Sequence, residues 1–356
     1  MNIQLDKKSS ESIYMQIYQQ LRQAIVSGEL QEGTKLPSKR SLAEELDVSV
    51  ISVEHAFALL TDEGYALAKP RSGLYVSFGS GFAPPVRKAT LAEMSVNLSG
   101  AEDFPFSLWA KTMRTVLTEY DRSILTSCPG AGCQPLRETI SHYLLRSRSI
   151  HVSPEQIVIG AGAEYLYSLV VQLIGNSSVF ALEGPCYHKI KLVYEANGVR
   201  CESLKMGHDG IDSSELAGCR AAALHVTPFH SFPSGVTASA AKRHEYAAWA
   251  RAHNSVIIED DYDSEFASLS KQIETIYSII PDHVIYINTF SKLLAPAIRT
   301  GFMILPRRML ELYRQKLGFY SCTVPVFEQL VLASFIEEGH MERYISRRRR
   351  KLRQKE

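Results

Sequence analysis

Hydrophobic residues in the first part of the chain recur at helical spacing. They do so from Tyr14 to Ile25, and Gly28 then provides a helix stop. Ser38 and Ser49 each precede another apolar pattern of the same period, so both are predicted N-caps of shorter helices. Three consecutive helices are therefore expected, and the last two form a helix-turn-helix.

Two short predicted strands, residues 65–68 and 74–77, follow these helices, and a basic turn over residues 69–73 joins them. Helices closed by such a hairpin form a winged helix, whose last helix enters the major groove while the hairpin tip contacts phosphates. We therefore expect residues 1–77 to bind double-stranded DNA. The alternative is a unit that contacts only other proteins, but such a unit would not require a basic hairpin tip. The predicted DNA-contacting residues are Ser38, Lys39, Arg40, Ser49, Ser52, His55, Lys69 and Arg71.

The hydrophobic pattern changes twice after the hairpin. Residues 78–95 lack periodicity and carry glycine, proline and charge, which predicts an interdomain linker. Over residues 96–356, strand-like runs alternate with helical runs, which predicts an α/β domain with a largely parallel sheet covered on both faces. The predicted strands are residues 156–159, 178–182, 221–226, 255–258, 284–287 and 300–305.

Composition narrows the possible partners. The 356 residues are 45% hydrophobic and carry a formal net charge of +1, so attraction to DNA must come from a local patch. The sequence has no leader-like start and no apolar run that could span a bilayer, so we expect a cytoplasmic protein without membrane contact. The six cysteines lack metal-finger spacing, so we expect free thiols and no metal site.

The strongest chemical motif follows the predicted strand at residues 284–287. Thr289, Ser291 and Lys292 lie together there, and Arg299 comes seven residues after the lysine. This combination suits pyridoxal 5'-phosphate (PLP), because the amine can condense with the aldehyde while the hydroxyls and the guanidinium hold the phosphate. The alternative, a surface lysine after a strand, does not require the hydroxyls and the arginine.

Other candidate residues also follow predicted strands, where open α/β sheets bind ligands. Residues 160–164 form a glycine-rich strand-to-helix turn that suits a phosphate, although such turns are common. Residues 255–258 run into the acids 259–261, and a carboxylate there could face a protonated pyridine nitrogen. Tyr187 follows a third strand, where an ordinary buried turn tyrosine is equally compatible with the pattern.

Two long segments resemble known families. Residues 12–77, including the run Leu36-Pro37-Ser38-Lys39-Arg40, resemble the GntR family of bacterial regulators in order and spacing. The runs 259–266 and 288–301 resemble cofactor motifs of fold-type I aminotransferases. Their fusion, with the loop 227–235, is similar to the MocR group, in which a GntR-type winged helix precedes an aminotransferase-like domain. The resemblance therefore implies a PLP-dependent transferase fold after the winged helix.

The resemblance also implies individual roles. Asp260 would face the ring nitrogen, Tyr262 would bond the phenolic oxygen, and Tyr187 would stack on the ring. Lys292 would carry the cofactor and would be the catalytic group if the domain is active. The remaining implied cofactor residues are Gly162, Ala163, Glu164, Thr289, Ser291 and Arg299 around the phosphate, and His230 in the loop beside the ring.

The chain departs from the family pattern at two places. Val50 and Ile51 occupy positions where GntR relatives usually carry an arginine, so more of the DNA contact should fall on other basic residues. Full-length relatives continue beyond the position of Glu356 with a subdomain that clamps a substrate carboxylate, so transamination is expected to be weak or absent. The basic run 347–355 is expected to be a solvated helix face rather than a nucleic-acid tail.

Three functions compete on these grounds. The first is a PLP-binding, ligand-responsive transcriptional regulator whose effector is an amino compound or PLP itself. The second is an aminotransferase with an accessory DNA-binding domain, and the third is a DNA-binding protein whose larger domain only dimerises. We expect the first, because a winged helix has no role in transamination and dimerisation does not require Lys292, Asp260 and Arg299 together. A homodimer is expected by resemblance, with residues 321–323 reaching a partner's phosphate site.

Overall fold

The computed structural model describes residues 3–6, 9, 11–69, 72–77, 103–262, 264–266 and 274–354. The chain divides into two compact units, residues 1–97 and 98–356. The predicted linker at residues 78–95 and the predicted DNA contact Arg71 lie outside the described residues.

The first unit is a winged helix, as predicted. Three helices precede an antiparallel hairpin in which Ala66 pairs with Val76 and Lys69 pairs with Gly73. The elements are α1 (Ile13–Val26), α2 (Lys39–Leu46), α3 (Val50–Asp62), β1 (Ala66–Lys69) and β2 (Gly73–Val76).

Serine caps set the starts of α2 and α3. The Ser38 hydroxyl accepts a hydrogen bond from the Ser41 amide at 3.1 Å, and the Ser49 hydroxyl accepts one from the Ser52 amide, also at 3.1 Å. Asp47 ends α2 with a left-handed φ of 51°, which turns the chain into α3. The three helices and the hairpin share one apolar core, which contains Leu21, Leu42, Val53, Leu60 and Val76.

The second unit is built around a seven-stranded mixed sheet. Its strands are β3 (Ile157–Gly160), β4 (Val179–Gly184), β5 (Arg200–Lys205), β6 (Ala223–Val226), β7 (Val256–Asp260), β8 (Val284–Thr289) and β9 (Gly301–Ile304). They lie in the order β3-β9-β8-β7-β6-β4-β5. All neighbours are parallel except β9, which is antiparallel to both β3 and β8. The expected α/β architecture with a largely parallel sheet is confirmed.

The sequence analysis did not predict one strand, β5. β5 lies at one edge of the sheet, with β3 at the other, and only Leu204 of its six residues is buried. Its remaining side chains are mostly polar, so the run shows neither the continuous apolar character of a central parallel strand nor a clear alternation. Edge strands are often charged in this way, which limits pairing with other chains.

Helices cover both faces of the sheet. Adjacent residues on β3 alternate between two apolar clusters, with Val158 in one and Ile159 in the other. The Val158 cluster includes residues of α6 (Ala163–Ile174), α7 (His188–Ala196) and α12 (Leu310–Leu317). The Ile159 cluster includes residues of α5 (Gln134–Arg148), α9 (Ala240–His253), α13 (Val326–Glu337) and α14 (His340–Arg353).

Four further helices complete the second unit. α4 (Phe106–Tyr120) packs on α13 through Val116 and Leu330. The others are α8 (Ser213–Gly218), α10 (Ile276–Ile279) and α11 (Phe290–Leu293). Within the described ranges, neither unit contains a helix that is both long and apolar enough to cross a membrane.

Candidate functional site

A cavity of about 360 Å³ lies at the carboxyl ends of the central strands of the second unit. Residues that follow β4, β6, β7 and β8 contribute to its lining, together with the start of α6. Nine of the residues predicted to hold PLP line it: Ala163, Glu164, Tyr187, Asp260, Tyr262, Thr289, Ser291, Lys292 and Arg299. The structure therefore brings these nine residues together around one cavity, and their role in binding PLP stays a prediction.

The short helix α11 presents Lys292 to this cavity. Thr289 is its N-cap, and the Thr289 hydroxyl accepts a hydrogen bond from the Ser291 amide at 3.3 Å. The Ser291 hydroxyl donates to the carbonyl of Ile298 at 2.7 Å, which ties α11 to the segment that carries Arg299. The Lys292 ammonium lies 4.4 Å from the centre of the Tyr262 ring, within cation–π range.

The turn before α6 has the form of an anion-binding site. Gly162 adopts a left-handed φ of 89°, and because this N-cap is a glycine, α6 begins without a side-chain cap. A Cβ at Gly162 would lie 3.0 Å from Nη2 of Arg299, so the guanidinium sits directly against this turn. Nη2 of Arg299 is 3.5 Å from a carboxylate oxygen of Glu164, and both side chains are about half exposed.

Asp260 lies buried at the end of β7 and is held from one side. Its Oδ2 accepts a short hydrogen bond from the hydroxyl of Tyr167, and Nε2 of His225 lies 3.6 Å from the same oxygen. Burial, and then the charge of Asp260, raise the pKa of Tyr167 well above its usual range, so the phenol remains a donor. Nδ1 of His225 is 2.7 Å from the hydroxyl of Tyr194.

Two buried polar atoms of this network lack a hydrogen-bond partner among the described residues, Nε2 of His225 and the second oxygen of Asp260. Oδ1 is buried, yet it has no hydrogen-bond partner among the described residues. An unpartnered buried carboxylate oxygen costs free energy, on the order of 1–3 kcal/mol, unless a donor reaches it. A pyridinium N–H would be such a donor, so the carboxylate fits the position opposite a PLP ring nitrogen.

Aromatic side chains form the outer wall of the cavity. The rings of Tyr187 and Phe232 meet edge to face with centres 6.0 Å apart, and both are largely exposed. The Tyr262 hydroxyl donates to the carbonyl of His230 at 2.8 Å. The side chain of His230 is exposed and is not part of the cavity lining, and its predicted role beside the ring stays a prediction.

Buried acids surround the floor of the site. Glu183 accepts hydrogen bonds from the hydroxyls of Thr227 at 2.5 Å and Ser231 at 2.8 Å, and burial raises its pKa. Asp261, next to Asp260, forms a buried ion pair with Arg148 at 2.7 Å. These contacts anchor the ends of β4, β6 and β7, and Thr227 also lines the cavity.

Sequence reasoning missed three residues that shape the site. Tyr167 on α6 and His225 on β6 hold Asp260, and Tyr194 on α7 holds His225. In the sequence each belongs to an apolar stretch, where an aromatic or histidine side chain is usually part of the core. Only their spatial convergence on one carboxylate distinguishes them.

In the first unit, the predicted DNA-contacting residues that the structure describes are exposed or half-exposed at α2, α3 and the hairpin. Lys39 pairs with Glu54 at 2.5 Å, His55 meets the Tyr14 ring edge to face, and the Lys69 ammonium lies 4.6 Å from the centre of the Tyr75 ring. The Ser38 and Ser49 hydroxyls serve as helix caps. The other predicted contacts that the structure describes are Arg40 and Ser52, at the starts of α2 and α3.

Fold and site together define a DNA-binding winged helix joined to an aminotransferase-type domain. Residues 13–76 match the family described as "Bacterial regulatory proteins, gntR family", and residues 94–356 match "Aminotransferase class I and II". The chain therefore belongs to the GntR-family helix-turn-helix transcriptional regulators that carry an aminotransferase-like domain, the MocR group.

Curated relatives have the same organisation over nearly the whole chain. The uncharacterized HTH-type transcriptional regulator YhdI of Bacillus subtilis (strain 168) is 33% identical over 99% of this chain and 78% of its own length. The HTH-type pyridoxine biosynthesis transcriptional regulator PdxR of Corynebacterium glutamicum is 29% identical over 98% of this chain and 78% of its own. The probable rhizopine catabolism regulatory protein MocR of Rhizobium meliloti is 25% identical over 97% and 76%.

Solved structures resemble the second unit. An archaeal alanine:glyoxylate aminotransferase superposes with a TM-score of 0.62 at 25% identity, covering 68% of this chain and 62% of that one. Pyrococcus horikoshii kynurenine aminotransferase, solved with PMP and substrates, gives a TM-score of 0.63 at 23% identity, over 70% and 64%. The chain thus spans less than two thirds of these enzymes. Their likeness establishes the aminotransferase fold.

Proposed function

We propose that this DNA-binding regulator holds PLP in the cavity beside Lys292 and responds there to a small molecule. The observation that carries the proposal is the buried, unpartnered Oδ1 of Asp260, in a cavity that also contains Lys292 and Arg299. These three side chains match three groups of PLP. The lysine suits its aldehyde, the carboxylate its ring nitrogen and the arginine its phosphate.

Each residue has a definite task in this proposal. Arg299 and the amides that follow Gly162 would hold the phosphate dianion, since the uncapped start of α6 favours negative charge. Asp260 would accept from the ring nitrogen while Tyr167 fixes its other oxygen. Tyr187 would cover the face of the ring. PLP, when bound, supplies an aldehyde that condenses with amines, and the Lys292 amine is the chain's own group for that reaction.

The test combines a spectrum with a covalent map. We expect the purified protein loaded with PLP to show an absorption band that borohydride reduction removes, and peptide mass spectrometry to locate the pyridoxyl group on Lys292. Lys292→Ala should abolish both signals. Lys189→Ala is the matched control, because Lys189 lines the same cavity and pairs with Glu164 at 3.5 Å. A pyridoxyl adduct on any other lysine, or an unchanged band in Lys292→Ala, would refute the assignment.

The effector class follows from the same chemistry. An amino compound could react at the PLP aldehyde, whereas PLP itself could act by occupying the cavity. The relative PdxR is a pyridoxine biosynthesis transcriptional regulator, which supports including PLP as an effector of this chain. DNA-binding titrations with PLP alone, and with amines at saturating PLP, separate the two. If neither changes the affinity of the full chain for its operator, the ligand-responsive part of the proposal fails.

We also propose a homodimer. Two winged helices on one particle would engage two DNA half-sites, which is the geometry that dimeric readers use. The segment 321–323 lies beside the phosphate turn of its own chain, where the Thr323 hydroxyl accepts from the Ala161 amide at 3.2 Å, and its reach toward a partner's phosphate site rests on the family resemblance. Sedimentation of the PLP-loaded chain should give twice the chain mass. A monomer at concentrations that saturate DNA would contradict this.

A PLP-dependent aminotransferase with an accessory DNA-binding domain is the second candidate. The fold of the second unit and the exposure of Lys292 to the cavity favour it. Multiple turnovers of an amino acid and a keto acid at rates ordinary for enzymes would support that reading. Single conversions without turnover, combined with altered DNA affinity, would support the regulator.

A further inference from the structure

The first turn of α3 exposes two apolar side chains. Val50 is 42% exposed and Ile51 is 64% exposed, and they lie side by side at the start of the helix. The packing of α3 does not depend on them, because Val53, Phe57 and Leu60 form its buried face. A single exposed apolar residue needs no explanation, but an adjacent pair on the groove-reading helix of a DNA-binding domain does.

The polar groups around this turn are engaged within the domain. The Ser49 hydroxyl caps the Ser52 amide at 3.1 Å, and the two serine hydroxyls lie 2.9 Å apart. One turn later, Glu54 pairs with Lys39. The start of α3 therefore offers methyl groups outward, flanked by hydroxyls that already serve the helix cap.

Lysines line a groove beside this helix. The groove, of about 770 Å³ between α3 and the hairpin, is lined by Lys35, Lys39 and Lys69, against the two acids Glu54 and Asp62. Three lysines against two acids give the groove a small net positive charge, which suits a phosphate backbone. Val50 and Ile51 do not line this groove. They lie on the first turn of α3, the helix that contributes both acids to it.

We propose that Val50 and Ile51 read thymine, by packing against its C5-methyl group in the major groove. The inference rests on the membership of this chain in a DNA-binding family. The N-terminal residues of a recognition helix meet base edges, and the thymine methyl is the apolar feature displayed there. The operator should therefore carry thymine at the one or two positions in each half-site that face the start of α3.

Thymine-to-uracil exchange tests this directly, because uracil keeps every hydrogen-bonding group and loses only the methyl. Operator duplexes are first selected from a random-sequence pool with the full-length chain, and each thymine is then replaced by uracil. We expect about a fourfold loss of affinity at each contacted position, since burying a methyl-sized group is worth about 0.8 kcal/mol and 1.4 kcal/mol is tenfold. Uracil elsewhere should change affinity little.

Protein variants assign the effect to the two residues. In Val50→Ala/Ile51→Ala the thymine-to-uracil ratio should fall to about one, while thermal unfolding stays unchanged because both side chains are exposed and alanine is a good helix former. Leu67→Ala is the matched control, since it removes a similarly exposed apolar side chain from β1 and should keep the ratio. The proposal is overturned if uracil is tolerated at every position within about twofold. A double variant that keeps the wild-type ratio also overturns it, and points to a protein partner for this surface.

Discussion

The buried ion pair between Arg148 and Asp261 allows a quantitative test of what holds the end of β7, the strand that leads into the cavity containing Lys292. Nη2 of Arg148 lies 2.7 Å from Oδ2 of Asp261, and their side chains are 8% and 0% exposed. The Tyr286 hydroxyl donates to the same oxygen at 2.6 Å. Replacing Arg148 by methionine keeps much of the apolar stem but leaves the carboxylate buried without its cation. We expect a loss of about 3–5 kcal/mol in unfolding free energy.

Urea unfolding followed by tryptophan fluorescence measures the effect in the right part of the molecule, because both tryptophans, Trp109 and Trp249, lie in the second unit. Arg146→Met is the control. Arg146 lies on the same helix and pairs with Glu342 at 2.9 Å, but these side chains are 55% and 38% exposed, so the expected loss is below about 1 kcal/mol. Equal losses in the two variants would refute the reasoning.

Three further changes have clear expectations. Burial raises the pKa of Glu265 to about 7, so its contribution to stability is full below about 4.5 and is lost as the pH rises toward 7. Glu265→Gln should flatten that decline in urea unfolding, and an unchanged slope would contradict it. Gly162→Ala combines a left-handed φ with a Cβ 3.0 Å from Arg299, so retention of PLP should fall in an equilibrium dialysis assay while the fold persists. Lys69→Ala, alone or with Arg71→Ala, should weaken binding to all DNA sequences alike and reduce the salt slope by about 1 per lost phosphate contact, and an unaltered slope would exclude the hairpin from the interface.

The elements of this fold that could be predicted are those whose capping residues or hydrophobic residues form a pattern within a few positions of the sequence. The serine caps at Ser38 and Ser49 and the strands β7 and β8 followed from patterns a few residues long, because capping and continuous burial are local constraints. β5 did not follow, since its side chains are mostly polar and only Leu204 is buried, so the strand leaves no apolar pattern in the sequence. The antiparallel direction of β9 was equally hidden, because strand direction is decided by tertiary pairing rather than by composition.

The residues of the candidate site likewise separate into those that local sequence patterns predict and those that they do not. Lys292, Asp260 and Tyr187 could be grouped from the sequence because each follows a strand, and the carboxyl ends of parallel strands converge on one edge. Tyr167 and His225 could not, because their polar atoms approach Asp260 only after one helix, α6, and two strands, β6 and β7, are packed together. Sequence therefore indicates which groups a cofactor could touch, whereas the orientation of those groups depends on contacts between distant segments. For Asp260 that distinction decides the chemistry: the hydroxyl of Tyr167 occupies Oδ2, and this contact leaves Oδ1 as the oxygen that can meet a ring nitrogen.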